Sequence, residues 1–336
     1  MNTTEILLFG DINLDVSMRI PAMPAPGQDV YVDELAFNLG GSATNTAIVL
    51  SQLGSSTRIL GSIGVDPNGD YLLATLSSYH VDTNLVQHKK ERPSGQIFLT
   101  VLPDGERSMY SFRGANVLTS PCDIPLEMIK RAGLIHISGY TFLESPQRDT
   151  ALHLIEIAHQ HGIPISMDTG LDPVVHAHTA MEPILHYLAV CICGQHEGSL
   201  LTGRNEPEQM IKFLSDLGID CIAIKLGRQG CMIGLEGEIK HLPALSIHAV
   251  DTTGSGDAFS AGLLIGWLNH FKLPELCALA NALGAHAATH LGPISLKLNW
   301  PDLLSFLAQN RPHQAPDVQE SIDNLVIRLK SDQIAG

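Results

Sequence analysis

Asp251-Thr252-Thr253-Gly254-Ser255-Gly256-Asp257 runs straight into Ala258-Phe259-Ser260-Ala261-Gly262-Leu263-Leu264, a glycine-rich turn opening into an apolar helix. Small residues let the backbone bend tightly and approach a ligand. The first N–H groups of a helix have no internal acceptor, and the helix dipole adds partial positive charge there. Such a helix start binds anions, phosphate above all. A carboxylate at Asp257, inside an anion site, makes sense if it accepts the proton of a hydroxyl that attacks phosphorus. The stretch therefore points to phosphoryl transfer onto an alcohol. The competing reading is an aspartate that only caps a helix, and the rest of the chain decides between them.

Outward from this turn, strand-like and helix-like runs alternate, which predicts an α/β fold with a mostly parallel sheet covered by helices. Ile6–Phe9 reads as a short buried strand ending at Gly10-Asp11. Ser42–Leu53 reads as a helix with Ser42 at its N-cap and Gly54 just past its end. Leu134–Ser138, Ile163–Met167, Leu188–Ile192 and Cys221–Lys225 are further buried strands, and Arg148–His161 is an amphipathic helix closed by Gly162. Phe259–Trp267 and Leu276–Thr289 are apolar helices. Two segments break the rhythm. Residues 16–39 carry three prolines and the alternating run Asp29–Leu39. Residues 92–117 hold alternating runs Gly95–Leu102 and Arg107–Phe112, joined through Asp104-Gly105, a hairpin signal. Together they predict a small β-sheet lid over the active face. Residues 311–336 follow a proline-rich break and read as a tail with a terminal helix.

The 336 residues carry a formal charge of −15, with a pI of about 5.4 and a mean hydropathy of +0.12. This balance opposes a broad nucleic-acid surface, which would be basic. No apolar run reaches the ~20 residues of a membrane span. The six cysteines, Cys122, Cys191, Cys193, Cys221, Cys231 and Cys277, have no CxxC spacing and read as reduced thiols. With no basic leader before the first strand, the expectation is a cytoplasmic protein. His176-x-His178 and His286-x-x-x-His290 have ligand-like spacing but lack the H-E-x-x-H pattern, so they read as structural or solvated. Cys191 and Cys193 read as core.

Asp251–Leu264 resembles the C-terminal signature of the ribokinase-like (PfkB) carbohydrate kinases. Gly40-Gly41-Ser42-Ala43-Thr44-Asn45-Thr46-Ala47 resembles their N-terminal signature. Gly10-Asp11-Ile12-Asn13-Leu14-Asp15, Gly61–Asp66, Leu201-Thr202-Gly203 and Lys225-Leu226-Gly227 are similar to family stretches in the same order. The likeness spans about residues 5–310. It implies one kinase domain over 1–310, a lid through which two subunits pair, ATP as donor, and a sugar hydroxyl as acceptor, ribose- or ketohexose-like. A nucleoside or 2-keto-3-deoxygluconate acceptor is the alternative.

The resemblance also implies roles. Asp257 falls on the catalytic base, and Gly254, Ser255 and Gly256 on a backbone anion hole. Asn13, Asp15, Gly41, Ser42 and Asn45 fall on sugar-holding positions, and Glu144 is similar to a sugar-contacting glutamate. Glu197, Lys225, Gly227 and Asn281 fall on the nucleotide side, Glu197 supporting Mg2+ through water. Asp251 and Thr253 fall on a site for a monovalent cation such as K+, completed by the loop around His290–Ser295. Two departures stand out. The family's Asn-x-x-Glu motif has Gly194 at the asparagine position, and Lys225 stands where ribokinase has threonine.

The residue chemistry agrees. A carboxylate can orient a hydroxyl and take its proton, and phosphoryl transfer otherwise rests on positioning and charge neutralisation. Asn13 and Asp15 follow the first strand, where open α/β sheets bind ligands, and can hydrogen-bond vicinal hydroxyls. A dinucleotide-dependent oxidoreductase is opposed because Gly254-Ser255-Gly256 lacks the third glycine of G-x-G-x-x-G and comes late in the chain. A Walker-type NTPase is opposed by the lack of G-x-x-x-x-G-K-[ST]. A non-catalytic sugar-binding regulator on the same fold is opposed by the retention of Asp257 and its glycines.

Overall fold

The computed structural model describes residues 4–103, 106–290, 292 and 298–334, with side chains up to 331. The Asp104-Gly105 turn and most of the loop after His290 lie outside the described residues. The strands are β1 (Ile6–Phe9), β2 (Asn13–Arg19), β3 (Glu34–Gly40), β4 (Thr57–Gly64), β5 (Asp82–Lys89), β6 (Gly95–Val101), β7 (Arg107–Phe112), β8 (Leu134–Ser138), β9 (Ile165–Asp168), β10 (Val190–Gly194), β11 (Cys221–Lys225), β12 (Cys231–Leu235) and β13 (Glu238–Leu242). The helices are α1 (Ser42–Gln52), α2 (Pro67–Ser78), α3 (Leu126–Lys130), α4 (Gln147–His161), α5 (Leu171–His176), α6 (His178–Met181), α7 (Gln195–Thr202), α8 (Pro207–Asp216), α9 (Ser255–Leu268), α10 (Leu273–Ala288), α11 (Trp300–Asn310) and α12 (Pro316–Ile334).

Nine strands form one sheet in the order β13-β12-β11-β10-β9-β8-β1-β4-β5. It is parallel except for β12 and β13, which form an antiparallel edge. Strands covered on both faces read as continuous apolar runs, and β1 shows why. Ile6 and Leu8 pack into the core on one face, with Ala261, Leu264, Leu279 and Leu283. Leu7 and Phe9 pack on the other, with Leu154, Ala158 and Leu214. The sheet thus has helices on both sides, as the sequence predicts. The β12–β13 hairpin, with β4, α2 and β5, adds elements the sequence reading leaves unassigned.

Residues 16–39 and 92–117 do form one small sheet, in the order β3-β2-β6-β7. β2 begins at Asn13, with only three residues between it and the end of β1. Asn13 and Asp15 therefore belong to the small sheet and not to the end of the first strand. Register puts Leu14, Val16, Leu35, Phe37, Tyr110 and Phe112 on one face of it, and Asn13, Asp15 and Arg107 on the other. The terminal helix α12 is also present. Its Val318, Ile322, Leu325 and Leu329 are buried in the core that holds α9 to α11.

Candidate active site

The carboxyl ends of β1, β8, β9, β10 and β11 point the chain toward one side of the sheet, which is where ligands bind in open α/β folds. The start of α9 lies on the same side. Gly254 has φ 74°, a left-handed conformation that favours glycine, and forms the N-cap of α9. Ser255 N–H is used within the turn, donating to Thr252 O at 3.2 Å, and the first helical bond is Ala258 N to Gly254 O at 2.9 Å. Gly256 and Asp257 thus present the first-turn N–H groups that a helix cannot satisfy internally. Gly254, Ser255 and Gly256, expected to form an anion hole, are the cap and first two residues of α9.

Asp257 is held from α1. Ser42 Oγ donates to its Oδ1 at 2.8 Å and Asn45 Nδ2 to its Oδ2 at 2.7 Å. Ser42 is therefore the first residue of α1 and not its N-cap. Gly41 is the cap, at φ 107°, and an added Cβ there would run into Asp11 O. Burial pushes the Asp257 carboxyl up to about 6, with Asp168 adding to it, while Asn45, Ser42 and Lys225 pull it back. Asp15 is pushed up to about 7, first by burial and then by the charge of Asp257. Its Oδ1 is buried without a partner among the described residues. Two carboxylates near one another thus have ordinary titration raised toward neutrality, a pattern concentrated at functional sites.

Lys225, whose head group the sequence leaves unplaced, ends β11 with Nζ 2.8 and 3.0 Å from the two oxygens of Asp168. A Cβ built on Gly256 would stand 3.5 Å from that Nζ, so the ammonium borders the glycine turn. Burial alone would lower the Lys225 pKa, but Asp168, Glu197 and Asp257 outweigh it and hold the lysine charged. Ser260 Oγ on α9 also donates to Asp168, at 2.7 Å. Beneath this group lies His136, fully buried and lowered to about 4 by that burial, with Lys225 adding to the effect and Asp168 opposing it.

Asp168 is a site residue that sequence reasoning missed, although its place at the end of β9 was a usable signal. Asn116 is another. It donates to Asn13 Oδ1 at 2.7 Å and accepts from Ile12 N at 2.8 Å, fixing Asn13 with its amide nitrogen left for a ligand. Asp11 is bound by Arg113 and by Gln147 Nε2 at 2.8 Å. Glu144 is not brought into this cluster: it is exposed, and Gln147, three residues later, is the buried one.

Glu197 accepts from Gly194 N at 2.7 Å and from Thr169 Oγ1 at 3.0 Å. A Cβ at Gly194 would lie 3.2 Å from Glu197 Oε1, so glycine there gives the carboxylate room to fold over its own helix start. Gly227 begins the exposed turn two residues beyond Lys225. Asn281 on α10 donates to Leu242 O and Pro243 O, both at 3.1 Å, tying α10 to the chain after β13. Asp251 accepts from Thr253 N at 2.9 Å, from Thr253 Oγ1 at 2.7 Å and from Gly292 N at 3.0 Å. Burial opposes ionisation there, but these bonds and Arg107 hold the carboxyl below its usual range. Leu291 and Pro293–Ser295, expected to complete a cation site, lie outside the described residues.

The arrangement can hold an anion against α9, neutralise it with Lys225, and place a hydroxyl against Asp257. Comparisons with known proteins place the chain in a family. The sequence profile of the pfkB family carbohydrate kinases matches residues 3–300. A ribokinase of Staphylococcus aureus (strain COL) is 29% identical over 275 residues, covering 80% of this chain and 87% of its own. Fructokinase-1 of Oryza sativa subsp. japonica is 30% identical over 304 residues, covering 86% and 93%. An E. coli structure provisionally named ribokinase II, in complex with ATP and Mg2+, superposes with a TM-score of 0.83 at 20% identity, covering 91% of this chain and 99% of its own. With the profile spanning both signature stretches and the fold agreeing throughout, the chain belongs to the PfkB family of carbohydrate kinases.

Proposed function

We propose that this kinase moves the γ-phosphoryl group of ATP to a hydroxyl of a ribose- or ketohexose-like sugar, with Asp257 as general base. One observation carries the reading. Asp257 is half-buried, its carboxyl is pushed up to about 6, and it is fixed by Ser42 and Asn45 at the helix start, where the first-turn N–H groups lack intrahelical acceptors. The acceptor hydroxyl donates to the Asp257 carboxylate. As its oxygen bonds to Pγ, its proton passes to Asp257, the bond from Pγ to the bridging oxygen breaks, and ADP leaves. The Gly256 and Asp257 amides and the Lys225 ammonium meet the charge on the transferred group. Loss of one preorganised donor of this kind typically lowers the rate about 10²–10³-fold.

Asn13, steadied by Asn116, and Asp15 grip the acceptor. The pKa of Asp15 lies near 7, so it both donates and accepts at neutral pH. Glu197 has the chemistry to support Mg2+ through water, and it is fixed by Gly194 and Thr169. A Mg2+ held there would supply charge neutralisation for the phosphates. Gly227 and Asn281 belong to the nucleotide side of the cleft. Potassium activation fits the turn held by Asp251 and Thr253, where carbonyl oxygens and not the occupied carboxylate would bind the ion. The small sheet closes over the acceptor as a lid and limits wasteful hydrolysis. Its other face exposes Leu35, Phe37, Tyr110 and Phe112, an apolar area that a second subunit would cover. No helix among the described residues is long and apolar enough to cross a membrane, which is consistent with work in the cytoplasm.

A coupled ADP-release screen over pentoses, ketohexoses, nucleosides, 2-keto-3-deoxygluconate and sugar phosphates tests the reading. The expected result is sugar-dependent ADP release that disappears in Asp257→Asn. Calorimetric sugar binding with no ADP release from any acceptor would favour the non-catalytic regulator instead.

A further inference from the structure

Asp168, the last residue of β9, is buried where three elements meet. Lys225, the last residue of β11, reaches it with Nζ 2.8 Å from Oδ2 and 3.0 Å from Oδ1. Ser260, on α9, donates to the same Oδ2 at 2.7 Å. β10 lies between β9 and β11 in the sheet, so the lysine side chain crosses a strand to find its carboxylate.

Taking two charges out of water is costly, and a buried ion pair often adds little net stability over apolar residues of the same size. Stability alone is therefore a poor account of this one. Its placement gives another. Apart from its own helix and chain neighbours, a Cβ built on Gly256 would find one atom within 4 Å, and that atom is Lys225 Nζ, at 3.5 Å. The first turn of α9 thus borders open space with a positive charge on its far side. A lysine head rides on a flexible four-carbon stem, and the two-point contact with Asp168 fixes it. Ser260 ties the same carboxylate to α9, with its Oγ 3.0 Å from Gly256 O. Ammonium and helix start are thereby both referenced to Asp168. The contacts are complete without a ligand, as preorganisation requires. Threonine at position 225 would leave Asp168 with no cation to hold.

We infer that Asp168 is a positioning residue for phosphoryl transfer, fixing the Lys225 ammonium against the start of α9. It touches neither the acceptor nor the transferred group. The inference rests on the proposed reading of α9 as the phosphoryl site, but the hold of Asp168 on Lys225 is measurable without it.

The signs of two effects separate positioning from plain structural support. Asp168 is a negative charge beside an anion site. Asp168→Asn removes that repulsion, so ATP should bind as well as before or tighter, while the ammonium loses its aim and kcat falls. A damaged site would weaken both.

Wild type is compared with Asp168→Asn, Lys225→Met and the double variant, all with Mg2+ present. For Asp168→Asn, calorimetry should give a Kd for ATP between the wild-type value and about fivefold lower. Turnover with the best acceptor from the screen should give a kcat about tenfold lower. Lys225→Met should lose at least as much, and the double variant should match Lys225→Met within about twofold, because Asp168 acts through Lys225. The double variant leaves neither charge unpaired, so this comparison stands even if Asp168→Asn folds poorly. ATP binding that weakens in step with kcat in Asp168→Asn, or losses that add in the double variant, would overturn the inference.

The hold itself is read on the ligand-free protein, by trace acetic anhydride labelling at pH 9 followed by mass spectrometry. The reagent takes only the neutral amine. A buried lysine without its carboxylate gives up its proton more readily, so Lys225 should be acetylated at least about tenfold faster in Asp168→Asn. Unchanged labelling would overturn the inference whatever the chain phosphorylates. Faster labelling beside wild-type kcat in Lys225→Met would instead overturn the phosphoryl-site reading, and the inference with it.

Discussion

Asn45 donates its side-chain amide to Asp257 at 2.7 Å, and 212 residues separate the two in the chain. The N-terminal and C-terminal signatures therefore meet on one carboxylate. Ser42 makes the companion bond. Both side chains hold the Asp257 carboxylate in place. Their hydrogen bonds leave the carboxylate ionised over more of the pH range than burial alone would allow.

Asp257→Asn is expected to bind ATP almost normally and to lose at least about 10²-fold in kcat, the low end for removing a general base. Steady-state kinetics beside calorimetric ATP titration checks this. Wild-type turnover in the variant would rule out the assignment.

The pH profile of kcat/KM should fall on the acid side with a midpoint near 6, as Asp257 gains a proton. Asp168 raises that midpoint and Lys225 lowers it. Asp168→Asn should move the limb to lower pH, and Lys225→Met to higher pH. Shifts of the same sign in both variants would contradict this charge arrangement.

Asp15 binds its proton more tightly folded, near 7, than unfolded, near 3.8. Between those values the native state holds more protons, so stability falls as pH rises through the window. Asp15→Asn removes the penalty. It should raise apo-protein stability at pH 8 by about 1–3 kcal/mol, less than the ~1.4 kcal/mol per pKa unit would give in full because the asparagine amide is itself a buried polar group short of partners. At pH 4 the gain should vanish. Thermal melts at the two pH values measure it, and a larger gain at pH 4 would reverse the sign.

Phe37→Asp places a charge in the exposed apolar face of the small sheet and should yield a monomer, where a dimer is the expected mass of wild type. Light scattering coupled to gel filtration reads the mass. A wild-type monomer would remove the dimer.

Truncation after residue 315 removes Val318, Ile322, Leu325 and Leu329, each no more than 1% exposed. Burying one such side chain contributes about 1.5–3 kcal/mol, and a domain has only about 5–15 kcal/mol to lose. The truncated chain should fail to fold cooperatively in urea. A native-like transition would show α12 to be dispensable.

The glycine turn was legible because it is local: Gly254 to Asp257 are consecutive, and a left-handed glycine before a helix reads directly from sequence. β1, β8 and β11 were legible for the same reason, as unbroken apolar runs between turn residues. What escaped reading depends on distant partners. Ser42 looks like a helix cap until α9 is packed beside it and offers Asp257. Asp168, Asn116 and Arg107 sit alone in unremarkable stretches, and only the fold brings them to Lys225, Asn13 and Thr253. The rule that finds ligands at strand ends would have singled out Asp168, the last residue of β9. Nothing local marks Arg107, the single charge of an exposed edge strand.

The short passage from β1 to β2 bears on how such enzymes can be altered. Three residues, Gly10 to Ile12, join the middle of the large sheet to the strand bearing Asn13 and Asp15. The small sheet is therefore not a cassette to be exchanged whole between relatives. Its first strand inherits its register from β1, and its last projects Arg107 onto a turn encoded almost 150 residues later. A transplanted sheet would arrive with neither match. On the proposed reading, changing acceptor range by design calls for single substitutions on the Asp15 face, leaving both joins as they are.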